Sequence, residues 1–178
     1  AEHMNKFANR YPVELRGLSQ YDLPSRVAPN AKEVLVVGAG TGNDVAGIIR
    51  NNPIAQVTGV EIDPEILKIG RALHPERPYD SSRVTIELDD ARAFFQRTQK
   101  KFDLIVFGLL DSHTSPVLTT ARLDHYVYTT ESISRVKELL APGGVICLLF
   151  LPQRPYIAAR IARQLRDVFG ENPRRPTT

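Results

Sequence analysis

Apolar runs and amphipathic stretches alternate along this chain, and their order predicts its architecture. The β-branched run VLVV at 34–37 has no polar break, as in a parallel strand covered on both faces. A helix starts near Asn43, and a second strand closes on Glu61. Asp63 and Pro64 then supply an N-cap and a first-turn proline, with Ile66, Ile69 and Leu73 as the apolar face of a helix that stops at His74-Pro75. PERPYDSS reads as a loop, VTIEL as a third strand, residues 91–97 as a short helix offering Phe94 and Phe95 to the core, and FDLIVFGLL as a fourth strand. Residues 111–128 lack periodicity and read as a long loop over the strand ends; loops of that length in compact domains are functional or disordered. Thr129 or Thr130 caps a helix to Leu140 that APGG terminates, and VICLLFL forms strand five. A last helix over 155–169 aligns Ile157, Ile161, Leu165 and Phe169 before Gly170 ends it.

Five strands interleaved with helices predict a doubly wound parallel α/β sheet, and right-handed crossovers select the order 3-2-1-4-5. Ligands of such sheets lie across the carboxyl ends of the strands, where the winding reverses. Glu61, Asp90 and Asp111 all fall at such ends. The stretch 5–31 carries Pro12, Gly17, Pro24 and Pro29 with little periodicity, and is expected to pack as an irregular lead-in against the sheet. The opening AEHM reads as an expression scar, so the chain divides into scar and lead-in (1–31), a ligand-binding α/β domain (32–170) and a tail (171–178). Such an opening is expected of a domain cut from a larger parent.

Gly38, Gly40 and Gly42 follow the first strand at once. Glycines there let the backbone turn tightly and approach a ligand, while the helix behind them presents unpaired N–H groups. A merely tight strand-to-helix connection is the competing account, and Glu61 at the end of the next strand weighs against it. The spacing is G-x-G-x-G: Asn43 stands where a dinucleotide fingerprint has its third glycine, and no Lys-Ser/Thr pair follows to grip a triphosphate. An adenosine cofactor without a phosphate chain fits, its ribose hydroxyls donating to Glu61, and S-adenosylmethionine or a derivative of it is the natural candidate. Helix capping suffices to explain Asp63, and of Asp89 and Asp90 one caps the helix that follows while the other reaches a ligand. Asp111 is a functional carboxylate or an acceptor anchoring its loop. His113 reads as a general base or, more commonly for a lone loop histidine, as a solvated side chain. Tyr126 and Tyr128 line a substrate mouth or, the simpler reading, cover the core. Asp111, Ser112 and His113 are too close in sequence to form a hydrolase triad, and there is no G-x-S-x-G elbow.

Composition narrows the picture a little further. A length of 178 residues suffices for one domain with a core that needs no disulfides. The net charge of +3 is too mild to argue for nucleic acid, and Arg154, Arg160, Arg163, Arg166, Arg174 and Arg175 read as a solvated helix face and tail. Cys147, the single cysteine, lies in an apolar run and reads as a buried core thiol, consistent with a cytoplasmic setting. No apolar stretch approaches the ~20 residues of a membrane helix and no signal-peptide pattern opens the chain, so this polypeptide is expected to be soluble. The histidines and the cysteine lack metal-ligand spacing, and no metal is expected.

VLVVGAGTG, GVEIDPEIL, VTIELDDARAFF, FDLIVFGLLDSHT and VYTTES, spread over roughly residues 33–151, together resemble successive motifs of the spermidine synthases, which have a class I methyltransferase-like Rossmann fold. GLLDSHT and ALHPERPYD also resemble the wording of spermidine-synthase-like domains fused to membrane segments in bacteria, which implies a cytoplasmic domain of a membrane-anchored parent. By resemblance, the cofactor lies against Gly38, Gly40, Thr41 and Gly42, with its ribose on Glu61 beside Ile62 and its adenine against Asp90 and the N–H of Ala91. Asp111 resembles the aspartate that helps deprotonate the attacking amine, so that nitrogen displaces an aminopropyl group from the sulfonium of decarboxylated S-adenosylmethionine. The implied partners are a small amine acceptor and a second copy of the chain in a homodimer.

Departures accompany the matches. Where the family has an aspartate pairing with the cofactor's terminal amine, this chain has Thr41, and Thr114 stands where a second loop aspartate binds the diamine. Losing both carboxylates weakens recognition of a dicationic substrate. A neutral Thr41 also admits intact S-adenosylmethionine. The family's N-terminal hairpin and final strands have no counterpart in the sequence. The expected function is therefore aminopropyl transfer, with a methyltransferase and a non-catalytic nucleoside-binding domain as alternatives; nucleic-acid modification ranks last.

Overall fold

Five apolar runs become five parallel strands in the order 3-2-1-4-5, as the alternation of elements requires. The computed structural model describes residues 19–108, 127–149 and 155–174. β1 (Glu33–Val37) lies at the centre, between β2 (Gln56–Glu61) and β4 (Phe102–Phe107). β3 (Val84–Leu88) and β5 (Leu140–Leu148) form the two edges. Central position explains composition: Val34, Leu35, Val36 and Val37 are fully buried. Alternate side chains enter opposite layers, so Val34 and Val36 join one core and Leu35 and Val37 the other. Each such burial stabilises the fold by about 1.5–3 kcal/mol.

The first layer is covered by α2 (Asn43–Asn51), through Val45 and Ile48, with Leu67 from α3 (Pro64–Leu73) and Tyr79 from a 3₁₀ turn at Pro78–Asp80. On the second, Phe94 and Phe95 of α4 (Ala91–Arg97) meet Ile105, Phe107 and Val136, the last from α5 (Thr130–Glu138). A final helix, α6 (Pro155–Phe169), buries Ile161 and exposes Arg160, Arg163 and Arg166, the solvated basic face expected of it. Gly170 follows in a left-handed conformation, φ 78°, its N–H returning to the Arg166 carbonyl.

Two segments differ from the sequence reading. The expected irregular lead-in contains a 3₁₀ turn at Gln20–Asp22 and a short helix, α1 (Leu23–Val27). Elements this short show no usable periodicity, and local bonds set them up: Asp22 Oδ2 accepts from both the backbone N–H and the hydroxyl of Ser19. The second difference lies after α5. That helix stops at Glu138, two residues earlier than expected, and Leu140 already pairs with Phe102. Pairing then jumps to Leu104 with Val145, so APGG is an irregularity inside β5.

Candidate functional site

Carboxyl ends of the strands are where the conserved geometry of such sheets leaves a crevice, and here they bring the glycine loop and Glu61 together. Gly38, Gly40 and Gly42 have φ of 71°, 56° and 103°, conformations that cost an L side chain strain. Gly42 is the N-cap of α2, and its Cα faces Pro78: a Cβ there would lie 2.7 Å from Pro78 Cγ. The loop is therefore glycine-rich for its own geometry as well as for any ligand.

Glu61 closes β2 and is buried. Its Oε2 accepts from the Gly40 N–H at 2.8 Å, and its Oε1 accepts from the N–H groups of Ile62 and Asp63 at 2.8 and 2.9 Å. One carboxylate thus pins the glycine loop to the turn after β2. A carboxylate has about four acceptor directions, so three donors leave room for one more. From the opposite side the Tyr79 hydroxyl donates to the carbonyls of Ala39 and Gly40, at 3.0 and 2.7 Å. Burial, reinforced by Glu61, pushes the Tyr79 phenol above its usual range and keeps it a donor. Gly70 of α3 packs so close that a Cβ would meet the Thr41 carbonyl at 2.6 Å.

Next along the loop, Asn43 Oδ1 lies 3.2 Å from His74 Nε2, and the Glu76 N–H donates to His74 Nδ1. That pair of contacts assigns a neutral ring with the proton on Nε2. Burial lowers the affinity of His74 for a second proton, in agreement. Asp44, at the second position of α2, is almost completely buried, and Oδ1 has no hydrogen-bond partner. Burial pushes its carboxyl up to about 7, against the effect of its own backbone N–H.

Several expected residues take the places assigned to them. Asp63 Oδ1 accepts from the N–H groups of Glu65 and Ile66, the anticipated cap. Tyr128 is buried with its ring 5.8 Å from that of Phe107, the core-cover reading. Cys147 is half-buried, and burial raises its thiol to about 11, as for a core cysteine. The Asp89/Asp90 pair divides its roles otherwise than expected: Asp90, which the resemblance gives to adenine, is the member that caps α4, Oδ1 accepting from Arg92 and Ala93 N–H, while Asp89 accepts from Arg97. Both capping bonds use Oδ1, and the Asp90 side chain is exposed. Ile62 is exposed beside Glu61, and Ala91 is half-buried at the start of α4. Asp111, Ser112, His113, Thr114 and Tyr126 lie outside the described residues.

Asp44 and Tyr79 were absent from the sequence reading. Asp44 sits one place beyond the G-x-G-x-G-N spacing, where first-turn acidity explains an aspartate; only its burial singles it out. Tyr79 lies in a loop by pattern, and nothing in PERPYDSS announces that it folds back under the glycines. No three of His, Cys, Asp and Glu converge to hold a metal ion among the described residues, and none of their helices is long and apolar enough to cross a membrane.

Comparison with known proteins agrees with this geometry. A family model described as the spermine/spermidine synthase domain matches residues 21–172. The polyamine aminopropyltransferase of Nitrosomonas europaea is 29% identical over 153 residues, covering 83% of this chain and 45% of that protein. Polyamine aminopropyltransferase 2 of Hyperthermus butylicus is 30% identical over 143 residues, covering 79% of this chain and 44% of that protein. The chain spans less than half the length of these relatives. A spermidine synthase in complex with the transition state analogue AdoDATO superposes with a TM-score of 0.64 at 18% identity, over 85% of this chain and 52% of that one. Human methyltransferase-like protein 13 in complex with SAH gives 0.61 at 19%, over 94% and 73%. At these identities the likeness to solved structures establishes the methyltransferase-like Rossmann fold.

Proposed function

The chain belongs to the spermine/spermidine synthase domain family, and from that premise we propose that it binds decarboxylated S-adenosylmethionine and transfers its aminopropyl group to a small amine. The observation that carries this reading is Glu61, a buried carboxylate fastened to the glycine loop at the carboxyl end of β2. A nucleoside ribose donates to it there. One acceptor direction is open for the first hydroxyl; the second displaces one of the N–H donors, and Gly40, which comes from the other loop, is the one that moves. The adenine then lies toward β3, beside Ile62 and the start of α4, within reach of Asp90 and the Ala91 N–H.

In the transfer, the acceptor's nitrogen lone pair forms a bond to the carbon attached to sulfur as the carbon–sulfur bond breaks. Methylthioadenosine leaves with that electron pair, and the ammonium proton passes to a base. The sulfonium is already electrophilic, so alignment and proton removal suffice. Asp111 is the base in this reading, by resemblance. Thr41 favours a second reading, because a neutral residue beside the cofactor tail also tolerates the carboxylate of intact S-adenosylmethionine. Methyl transfer would use the same loop.

Calorimetric titration with decarboxylated S-adenosylmethionine, S-adenosylmethionine and methylthioadenosine tests the proposal. Preference for the decarboxylated form is expected, and Glu61→Gln should weaken all three by about tenfold or more. Preference for the intact cofactor would move the assignment to methyl transfer, and absence of all binding would overturn the nucleoside reading. Asp111→Asn should abolish transfer while leaving nucleoside affinity within about twofold; a domain without transfer in either form is a binding module.

A further inference from the structure

Beside the glycine loop, in the first turn of α2, stands a second buried carboxylate that the family resemblance does not use. Asp44 is 6% exposed, and its Oδ1 is buried with no partner. Native folds seldom leave such a group unsatisfied without a reason. Its surroundings supply acceptors where a donor is required. At the carboxyl end of β4, a Cβ built on Gly108 would lie 2.9 Å from Asp44 Oδ2, 3.0 Å from the Gly38 carbonyl oxygen and 3.4 Å from that of Val37. Val37 already receives the Gly108 N–H, whereas the Gly38 carbonyl accepts no hydrogen bond among the described residues. Two carbonyl oxygens at the end of β1 and one carboxylate oxygen of α2 therefore face the bare Cα of Gly108, and a group with several N–H donors and a positive charge would complete them. The place is the switch point, where the winding of the sheet reverses between β1 and β4. With the nucleoside end of the ligand over β2 and β3, its aliphatic tail runs over the loop toward this spot.

We propose that Asp44 is the residue that pairs with the ammonium group on the ligand's aliphatic tail, supplying from α2 the charge that Thr41 lacks. The inference rests on the nucleoside-binding reading above and sharpens it. An uncompensated carboxylate at the tail favours a ligand that ends in an ammonium alone and disfavours one that also bears a carboxylate. Asp44 thereby restores the discrimination against intact S-adenosylmethionine that a neutral Thr41 forfeits.

The test is titration of wild type and Asp44→Asn with decarboxylated S-adenosylmethionine, S-adenosylmethionine and methylthioadenosine, the last of which has no ammonium group. Affinity for the decarboxylated form should fall about tenfold or more, with the preference over the intact cofactor narrowing, while methylthioadenosine binding stays within about twofold. Equal loss for all three ligands, or undiminished binding of the decarboxylated form, overturns the role of Asp44. Wild type that binds none of them, methylthioadenosine included, overturns the nucleoside reading itself, and the tail assignment with it. If Asp44→Asn does not fold, Gly108→Ala crowds the same oxygens and should produce the same split between ammonium-bearing ligands and methylthioadenosine; a uniform effect would again count against Asp44.

Discussion

Two buried carboxylates flank the glycine loop in opposite circumstances. Glu61 accepts from three backbone N–H groups, whereas Asp44 has an orphan oxygen. Asp44 is held at about 7, chiefly by burial, against 3.8 for an ordinary aspartate. The folded state therefore keeps a proton that the unfolded chain has lost between those values, and stability falls as pH rises from about 4 to about 7, then levels off. The groups facing Asp44, Tyr79 and Cys147, remain neutral through that window. Asp44→Asn should remove this dependence and be more stable than wild type by about 2–4 kcal/mol at pH 8, with the difference vanishing near pH 4. Thermal melts of the two proteins across that range check it; parallel curves would mean that Asp44 is not protonated in the fold. A functional residue that destabilises its apo protein is a familiar exchange of stability for a poised site.

At the scale of elements, short helices position the loop. α3 starts at a cap made by Asp63, and its Gly70 rests on the Thr41 carbonyl. Asp63→Ala should cost about 1 kcal/mol, read from a denaturant midpoint with unchanged slope. Gly70→Ala is predicted to be worse than a helix-favouring substitution has any right to be, because its methyl would meet a backbone oxygen at 2.6 Å. Loss of about 1–3 kcal/mol with weakened nucleoside binding is the expected result. Stabilisation, as the helix propensity of alanine alone would give, would show that α3 does not press on the loop.

Across the whole molecule, the lead-in is joined to the sheet layer by charge. Asp22 is fully buried, and Arg50 of α2 donates to it at 2.5 Å while also pairing with Glu76 at 2.6 Å. Burial alone would raise the Asp22 carboxyl, yet hydrogen bonds from Ser19, Arg50 and Asn51 hold it below the ordinary value. Its contribution is present above pH 3.8 and lost as pH falls through its folded value, the reverse of Asp44. Removing one partner of a buried pair leaves a charge without compensation, so Arg50→Ala should destabilise by roughly 2–4 kcal/mol, partly offset by the remaining donors. Chemical denaturation of this variant measures how far the lead-in belongs to the cooperative unit.

The order of elements, the parallel sheet and the positions of Gly38, Gly40, Gly42 and Glu61 were legible in the chain, because strand burial, glycine turns and caps are set by residues adjacent in sequence. Asp63 could likewise be read as a cap from its neighbours. The irregular passage through APGG could not, since Leu140 is recruited by Phe102, far away in sequence. Choosing Asp90 over Asp89 as the cap required backbone direction at the end of β3. Tertiary structure alone placed Tyr79 beneath the loop and set Asp44 against Gly108, some sixty residues apart in sequence, because burial and the lack of a partner belong to what the folded sheet brings together and not to any one residue.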